Sequence, residues 1–291
     1  MQPLILGDTE ITRVVEFEGP SFYVNQLVPQ ATDAEIEPFL SWLKPHFIDE
    51  VSGRGTMSLH AYVIRTPKHT ILVDTCVGNH KNRPGNKAWH MKDGPFLQDL
   101  MDHGVHPDEV DFVMCTHLHV DHVGWNTQLI DGRWVPTFPN AKYVFHKKEY
   151  DFWTEEVARG AESAPDIECY TDSVLPVVEA GQAVMVGGDH QIDDHMHFVP
   201  SPGHTPGHVC IDITGGGQHA LMTGDLMHHP VQVARPDWNS MFCVDPVMSA
   251  ATRQKFVEDN ADTGTHILAA HFAKPTVGTI VSEQQGFKFQ V

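Results

Sequence analysis

The run Thr116-His117-Leu118-His119-Val120-Asp121-His122 constrains this chain more than any other feature. It follows directly on Asp111–Cys115, an apolar stretch that reads as a buried strand. Residues two apart on extended backbone point the same way, so His117 and His119 can grip one ion. Asp121 and His122 come after the chain has begun to turn, and can address a second ion nearby. Imidazole nitrogen and carboxylate oxygen are standard zinc ligands. A lone His-x-His carries little weight, and a solvated His-rich loop is the alternative. The four-residue set at a strand end disfavours that alternative.

The rest of the chain repeats the arrangement. His60–Arg65 and Thr70–Asp74 read as a hairpin through Pro67 and Lys68, and Met196–Pro200 as a strand leading into Ser201-Pro-Gly-His204-Thr-Pro-Gly-His208. Val209–Ile213 and His219–Thr223 read as a second hairpin ending at Gly224-Asp225, and His266–Ala270 as a last strand ending at His271. Asp74, His117, His204, Asp225 and His271 therefore each follow an apolar strand. A sheet fixes the roots of its loops, so groups at strand ends can share one rim. The prolines and glycines around His204 suit a side chain that is aimed rather than packed. Asp225 after Leu-Met-Thr-Gly is costly to bury without a cation. Strands are also expected at 11–17, 22–28 and 142–146. Helices are expected at 33–43 (with Asp33 as N-cap), 96–103, from 147, and from Asp245-Pro246 to about 260.

These residues carry a resemblance. Val-Asp-Thr at 73–75, Thr-His-Leu-His-Val-Asp-His at 116–122, Pro-Gly-His-Thr-Pro-Gly-His at 202–208, Thr-Gly-Asp at 223–225 and Ala-Ala-His at 269–271 resemble, in order, the motifs of the metallo-β-lactamase superfamily. The resemblance implies a mixed α/β fold, a four-layer αββα sandwich, and residues 1–291 as a single domain. It assigns His117, His119 and His204 to one divalent ion and Asp121, His122 and His271 to a second, with Asp225 bridging both. Asp74 orients the site without itself having to bind metal, or else caps a turn. The implied reaction is hydrolysis by a metal-bridging hydroxide. Two Zn2+, two aspartates and one hydroxide leave the centre positive by one charge. Asp225 and Asp121 are the catalytic candidates, Asp121 as proton carrier to the leaving group. Zinc is favoured by the His-rich set, though Mn, Fe or Co fit the same ligands.

Within the superfamily, His-Val-Asp-His-Val-Gly-Trp-Asn at 119–126, 133–153, 224–232 and 269–280 resemble the lactonase, arylesterase and methyl parathion hydrolase-like branch. A lactone or aryl ester is the expected substrate, with neutral organophosphate triesters as a further class. Trp125, Trp238, Phe242 and Phe272 are candidate pocket walls or, equally, core or dimer-interface aromatics. His228 and His229 either touch substrate or pack their loop. Only Arg235 falls near, so no cationic clamp for a phosphorylated substrate is expected. A glyoxalase II-like thioesterase and a non-catalytic metal-binding interaction module are the alternatives. His119, where the diiron redox branch usually carries Glu, disfavours electron transfer.

Composition narrows the partners. The 291 residues suffice for a large core, and 41% hydrophobic content argues against disorder. A formal charge of −19 argues against nucleic acid and anionic membranes as partners. The five cysteines, at 76, 115, 169, 210 and 243, are scattered without a CxxC pair and read as reduced core thiols. No membrane span and no signal peptide are expected, since the early apolar run is broken at Gly7 and Asp8. The chain is expected to be cytoplasmic. The resemblance and the apolar content of 17–48 point to a homodimer.

Overall fold

The computed structural model describes residues 1–160, 165–284 and 286–291. Strands β1 (Leu4–Leu6), β2 (Thr9–Pro20), β3 (Thr56–Arg65), β4 (Thr70–Val73) and β5 (Phe112–Met114) precede a small hairpin, β6 (Thr127–Ile130) and β7 (Arg133–Pro136). Next come β8 (Lys142–His146), β9 (Ala183–Val186), β10 (Gln191–Asp193), β11 (Met196–Pro200), β12 (Val209–Gly215), β13 (Gln218–Gly224), β14 (His266–Ala269), β15 (Val277–Glu283) and β16 (Gly286–Gln290). One seven-stranded sheet runs β1-β2-β3-β4-β5-β8-β9, and another runs β10 through β16 in sequence order.

The chain divides into two compact units. Pro3–Glu16 with Leu59–Gly187 make one, and Met1–Gln2, Phe17–Ser58 and Gly188–Val291 make the other. Both are assembled from non-contiguous stretches, so no single cut separates them.

Within the 59–187 unit, β4, β5, β8 and β9 pair in parallel. Strands covered on both faces read as continuous apolar runs, as Thr70–Val73 and Phe112–Met114 do. Their core includes Val63, Leu72, Val113, Tyr143 and Phe145, with Trp153 from the helix Lys147–Ala158. In the 188–291 unit, β13 and β14 are parallel, with Gly224 opposite Ala269. This unit's core gathers Phe47, Met227, Val257, Phe272 and Phe289. The helix Pro246–Asn260 packs here through Val257, and its N-cap Asp245 accepts from Met248 N at 2.9 Å.

Parallel pairing decides where chemistry can gather. It brings the C-terminal ends of neighbouring strands to the same sheet edge. Asp74 and Thr116-His117 therefore leave adjacent strands together, as do Asp225 and His271.

Two local expectations need correction. Residues 22–28 are not a strand. β2 runs through Gly19 to Pro20, and Val24–Leu27 forms a short helix whose N-terminal Tyr23 amide donates to Gln26 Oε1 at 3.1 Å. The stretch 33–43 is three short helical pieces, Asp33–Ile36, Glu37–Phe39 and Leu40–Leu43, because Pro38 interrupts the turn ladder. Its N-cap is Thr32, whose hydroxyl accepts from Glu35 N.

Candidate functional site

The 59–187 unit presents His117, His119, Asp121 and His122 on the turn after β5. The His117 ring centroid lies 4.6 Å from that of His119 and 4.1 Å from that of His122. His117 and His119 offer ligand atoms within 4.8 Å of one another, and so do Asp121 and His122. Asp74, at the end of β4, anchors the turn. It holds a left-handed backbone (φ 57°), which is uncommon outside glycine and marks a conformation held by its surroundings. Its carboxylate accepts from Thr116 N at 2.8 Å and from the Thr116 hydroxyl at 2.9 Å, and lies 2.9 Å from His122 Nδ1. That carboxylate fixes the orientation of the His122 ring.

Two further anchors escaped sequence reasoning. Glu149, buried on the helix Lys147–Ala158, accepts from Leu118 N at 3.2 Å and from Trp153 Nε1 at 2.8 Å. The Trp153 ring sits 5.4 Å from His119. Gly124 closes the turn from the other side. A Cβ there would stand 1.9 Å from the Val77 carbonyl, so only glycine lets the two backbones meet.

The 188–291 unit presents His204, Asp225 and His271. Asp225 Oδ2 lies 3.3 Å from His204 Nε2, and Oδ1 lies 3.0 Å from His271 Nε2. His271 Nδ1 is 3.2 Å from the Ser58 carbonyl, and His204 Nδ1 is 3.9 Å from Cys243 Sγ. Gly203, at φ +133°, lets the His204 loop touch the helix Pro246–Asn260, because a Cβ would fall 2.3 Å from Ser249 N. Arg253, fully buried, donates to the carbonyls of Leu226, Pro236 and Trp238 and so ties down the loop after Asp225.

Each set fits a bound divalent ion. His117, His122, His204 and His271 all engage Nδ1 with a neighbour, Thr116 Oγ1 being 3.1 Å from His117 Nδ1. Such Nδ1 contacts fix the rings of metal-bound histidines, and the Nε2 atoms of His204 and His271 face the Asp225 carboxylate. Bonds of about 2.0–2.1 Å in a tetrahedron separate neighbouring ligand atoms by about 3.3 Å. The 3.0 and 3.3 Å contacts of Asp225 are of that size.

The remaining candidates divide. His228 is buried beside Asp225, its Nε2 3.1 Å from Oδ2, and its ring stacks on His271 at 5.6 Å. Burial pushes its pKa down. His229 is fully enclosed, 3.0 Å from the Phe47 carbonyl, and burial takes it down to about 4, which fits loop packing by a neutral ring. Phe272 and Trp238 belong to the core, Phe272 against Phe47 and Phe289. Phe242 is 46% exposed, with its ring 6.2 Å from His228 and 6.4 Å from Phe22. Trp125 borders a cavity of about 350 Å³ shared with Leu97, Met101 and Leu129. Arg235 is taken up by Asp237 at 2.9 Å and lies over the Trp238 ring. All five cysteines are free thiols, four of them buried. Among the described residues, no helix is long and apolar enough to cross a membrane.

Comparison with known proteins agrees with this architecture. An N-acyl homoserine lactonase of a Bacillus species is 25% identical over 161 residues, 52% of this chain and 56% of that protein. The N-acyl homoserine lactonase of Bacillus thuringiensis is 25% identical over 179 residues, 57% of this chain and 63% of its own length. The matched stretch thus spans under two thirds of these relatives. Among solved structures, the hydrolase AbOPH of the beta-lactamase superfamily superposes with a TM-score of 0.82 at 24% identity, covering 99% of this chain and 96% of that one. AidC, a dizinc quorum-quenching lactonase solved with a product, gives 0.77 at 22% identity over the same shares. Helix-flanked sheets of this kind match the metallo-β-lactamase fold. The superfamily's sequence profile covers residues 54–267, so the chain belongs to the metallo-β-lactamase superfamily.

Proposed function

We propose that this chain is a dinuclear-metal hydrolase that opens a lactone or cleaves an aryl ester. His117, His119 and His204 would hold one ion, and Asp121, His122 and His271 the other. Asp225 would bridge them. The observation that carries the reading is the buried Asp225 carboxylate, with Oδ2 3.3 Å from His204 Nε2 and Oδ1 3.0 Å from His271 Nε2. Zinc suits the donor set, and the similarity to AidC, a dizinc lactonase, supports two ions.

Two divalent cations, when bound, acidify water to near-neutral pKa and polarise a carbonyl oxygen. The side chains supply the rest. Asp225 directs both carboxylate oxygens toward the histidines that flank it. Asp74 keeps the His122 ring from turning. Asp121, less buried than its neighbours, is placed to carry a proton to the departing alkoxide. His228 turns its Nε2 to Asp225 Oδ2 at 3.1 Å and so helps hold that carboxylate. The exposed rings of Phe22 and Phe242 favour an apolar acyl or aryl group. Arg235, held by Asp237, offers no clamp for an anionic substrate. Neutral organophosphate triesters are a secondary class on the same grounds. The free thiols accord with a reducing cytoplasm.

A substrate panel tests the choice. Turnover of an acyl γ-lactone and an aryl acetate should exceed that of a glutathione thioester, and paraoxon should react slowly or not at all. Cleavage of the thioester alone would replace this reading with a glyoxalase II-like one. Metal binding without turnover of any member would make the chain a binding module.

A further inference from the structure

His208 is the second histidine of Pro-Gly-His-Thr-Pro-Gly-His and is absent from the ligand set. It is 0% exposed. The backbone N–H of Asp225 donates to His208 Nε2 at 3.0 Å. An accepting Nε2 carries no proton, so in the neutral ring the hydrogen sits on Nδ1. That Nδ1 lies 2.8 Å from Ser201 Oγ, which therefore accepts it. Ser201 is fixed in turn, because its amide donates to the His208 carbonyl at 2.9 Å and Cys210 Sγ lies 3.3 Å from its hydroxyl. Strand β11 ends just before Ser201 and β12 begins just after His208. The relay thus ties the end of one strand to the turn that follows β13. In that turn Gly224 holds φ 47° and Leu226 N donates to the Thr223 carbonyl at 3.1 Å. The Asp225 carboxylate leaves this turn, so the direction it takes depends on how its own amide is held.

We propose that His208 is a positioning residue that fixes the Asp225 backbone, and through it the carboxylate, by a Ser201–His208–Asp225 amide relay. The inference rests on Asp225 being a metal ligand. A histidine that only filled space would do as well as an apolar ring. A histidine that holds an amide needs an acceptor at Nε2 and a donor at Nδ1.

The test compares His208→Phe, His208→Gln and Ser201→Ala with the wild type, each loaded with zinc. The readouts are zinc retention against a competing chelator, and kcat and KM on an acyl γ-lactone. Loss of a partner that orients a ligand typically costs about 10–100-fold in metal affinity or activity. His208→Phe should fall in that range for zinc retention and for kcat, with KM little changed. His208→Gln, which places an acceptor oxygen near Nε2, should recover most of both. Ser201→Ala, which frees the tautomer while keeping the ring, should lose less than His208→Phe, and it carries the test should the Phe variant not fold. Wild-type zinc retention in His208→Phe, or in Ser201→Ala if the Phe variant does not fold, would overturn the proposal, and so would equal losses in the Phe and Gln variants. A wild type that binds no zinc would instead overturn the metal reading itself, and this inference with it.

Discussion

Asp225→Ala should leave a folded protein with at most one bound zinc and with lactone turnover reduced by more than the ~10–100-fold that loss of an outer partner costs. The expectation follows from the two faces of one carboxylate. Oδ2 meets His204 at 3.3 Å and Oδ1 meets His271 at 3.0 Å, and each of those histidines already has Nδ1 engaged. No other carboxylate is found among the described ligand candidates of that unit. Each ion would keep three ligands, but one unit of negative charge between the two cations would be lost, and their mutual repulsion would rise. Metal analysis together with kcat/KM on a γ-lactone checks this, and two retained zincs with full activity would contradict it.

Asp172→Asn should lower the stability of the protein by about 3–5 kcal/mol, the usual cost of breaking a buried ion pair from one side. Arg83 and Lys81 are both fully enclosed. Asp172 makes a bidentate pair with Arg83, at 2.7 and 2.8 Å, and its Oδ1 lies 3.5 Å from Lys81 Nζ. Lys81 also sits 3.6 Å from the centre of the Trp134 ring. Asparagine keeps the volume and removes the only anion of the trio. Arg83 cannot shed its proton. Lys81 can, because burial already brings it down to about 7 against the pull of Asp172, so its deprotonation caps the loss. The same cluster gives a pH dependence. Between about pH 7 and the ordinary lysine value, the unfolded Lys81 holds a proton that the folded one has lost, so this group makes stability rise with pH there. Urea unfolding of both proteins at pH 7 and pH 9 checks both signs. An unchanged midpoint in Asp172→Asn would show that the trio contributes nothing net.

The strand ends that carry the ligand candidates were legible in the sequence because their apolar runs announce themselves. Thr70–Val73 runs straight into Asp74, Phe112–Met114 reaches His117 through Cys115 and Thr116, and His266–Ala269 reaches His271 through Ala270. Less legible was anything set by contacts distant in sequence. Glu149 looks like one more acid on an amphipathic helix until its carboxylate is seen on Leu118 N. His208 looks like a motif repeat until Asp225 N is seen on its ring. Phe272 and Trp238, read as pocket wall or core, lie buried in the core, with Phe47 tilted against Phe272 and Phe39 edge-on to Trp238. The segment 22–28 carries β-formers, yet the local Tyr23–Gln26 capping contact and burial of Val24 and Leu27 make it helical. The hairpin β15–β16 went unread because no candidate ligand marks its end.

The central claim is that seven side chains hold two ions. Crystals of the zinc-loaded protein, measured on either side of the zinc absorption edge, test it most directly. The account predicts two anomalous peaks separated by about 3.5–4 Å, one against His117, His119 and His204, the other against Asp121, His122 and His271, with Asp225 touching both. A single peak, or peaks that Asp225 does not reach, would contradict it.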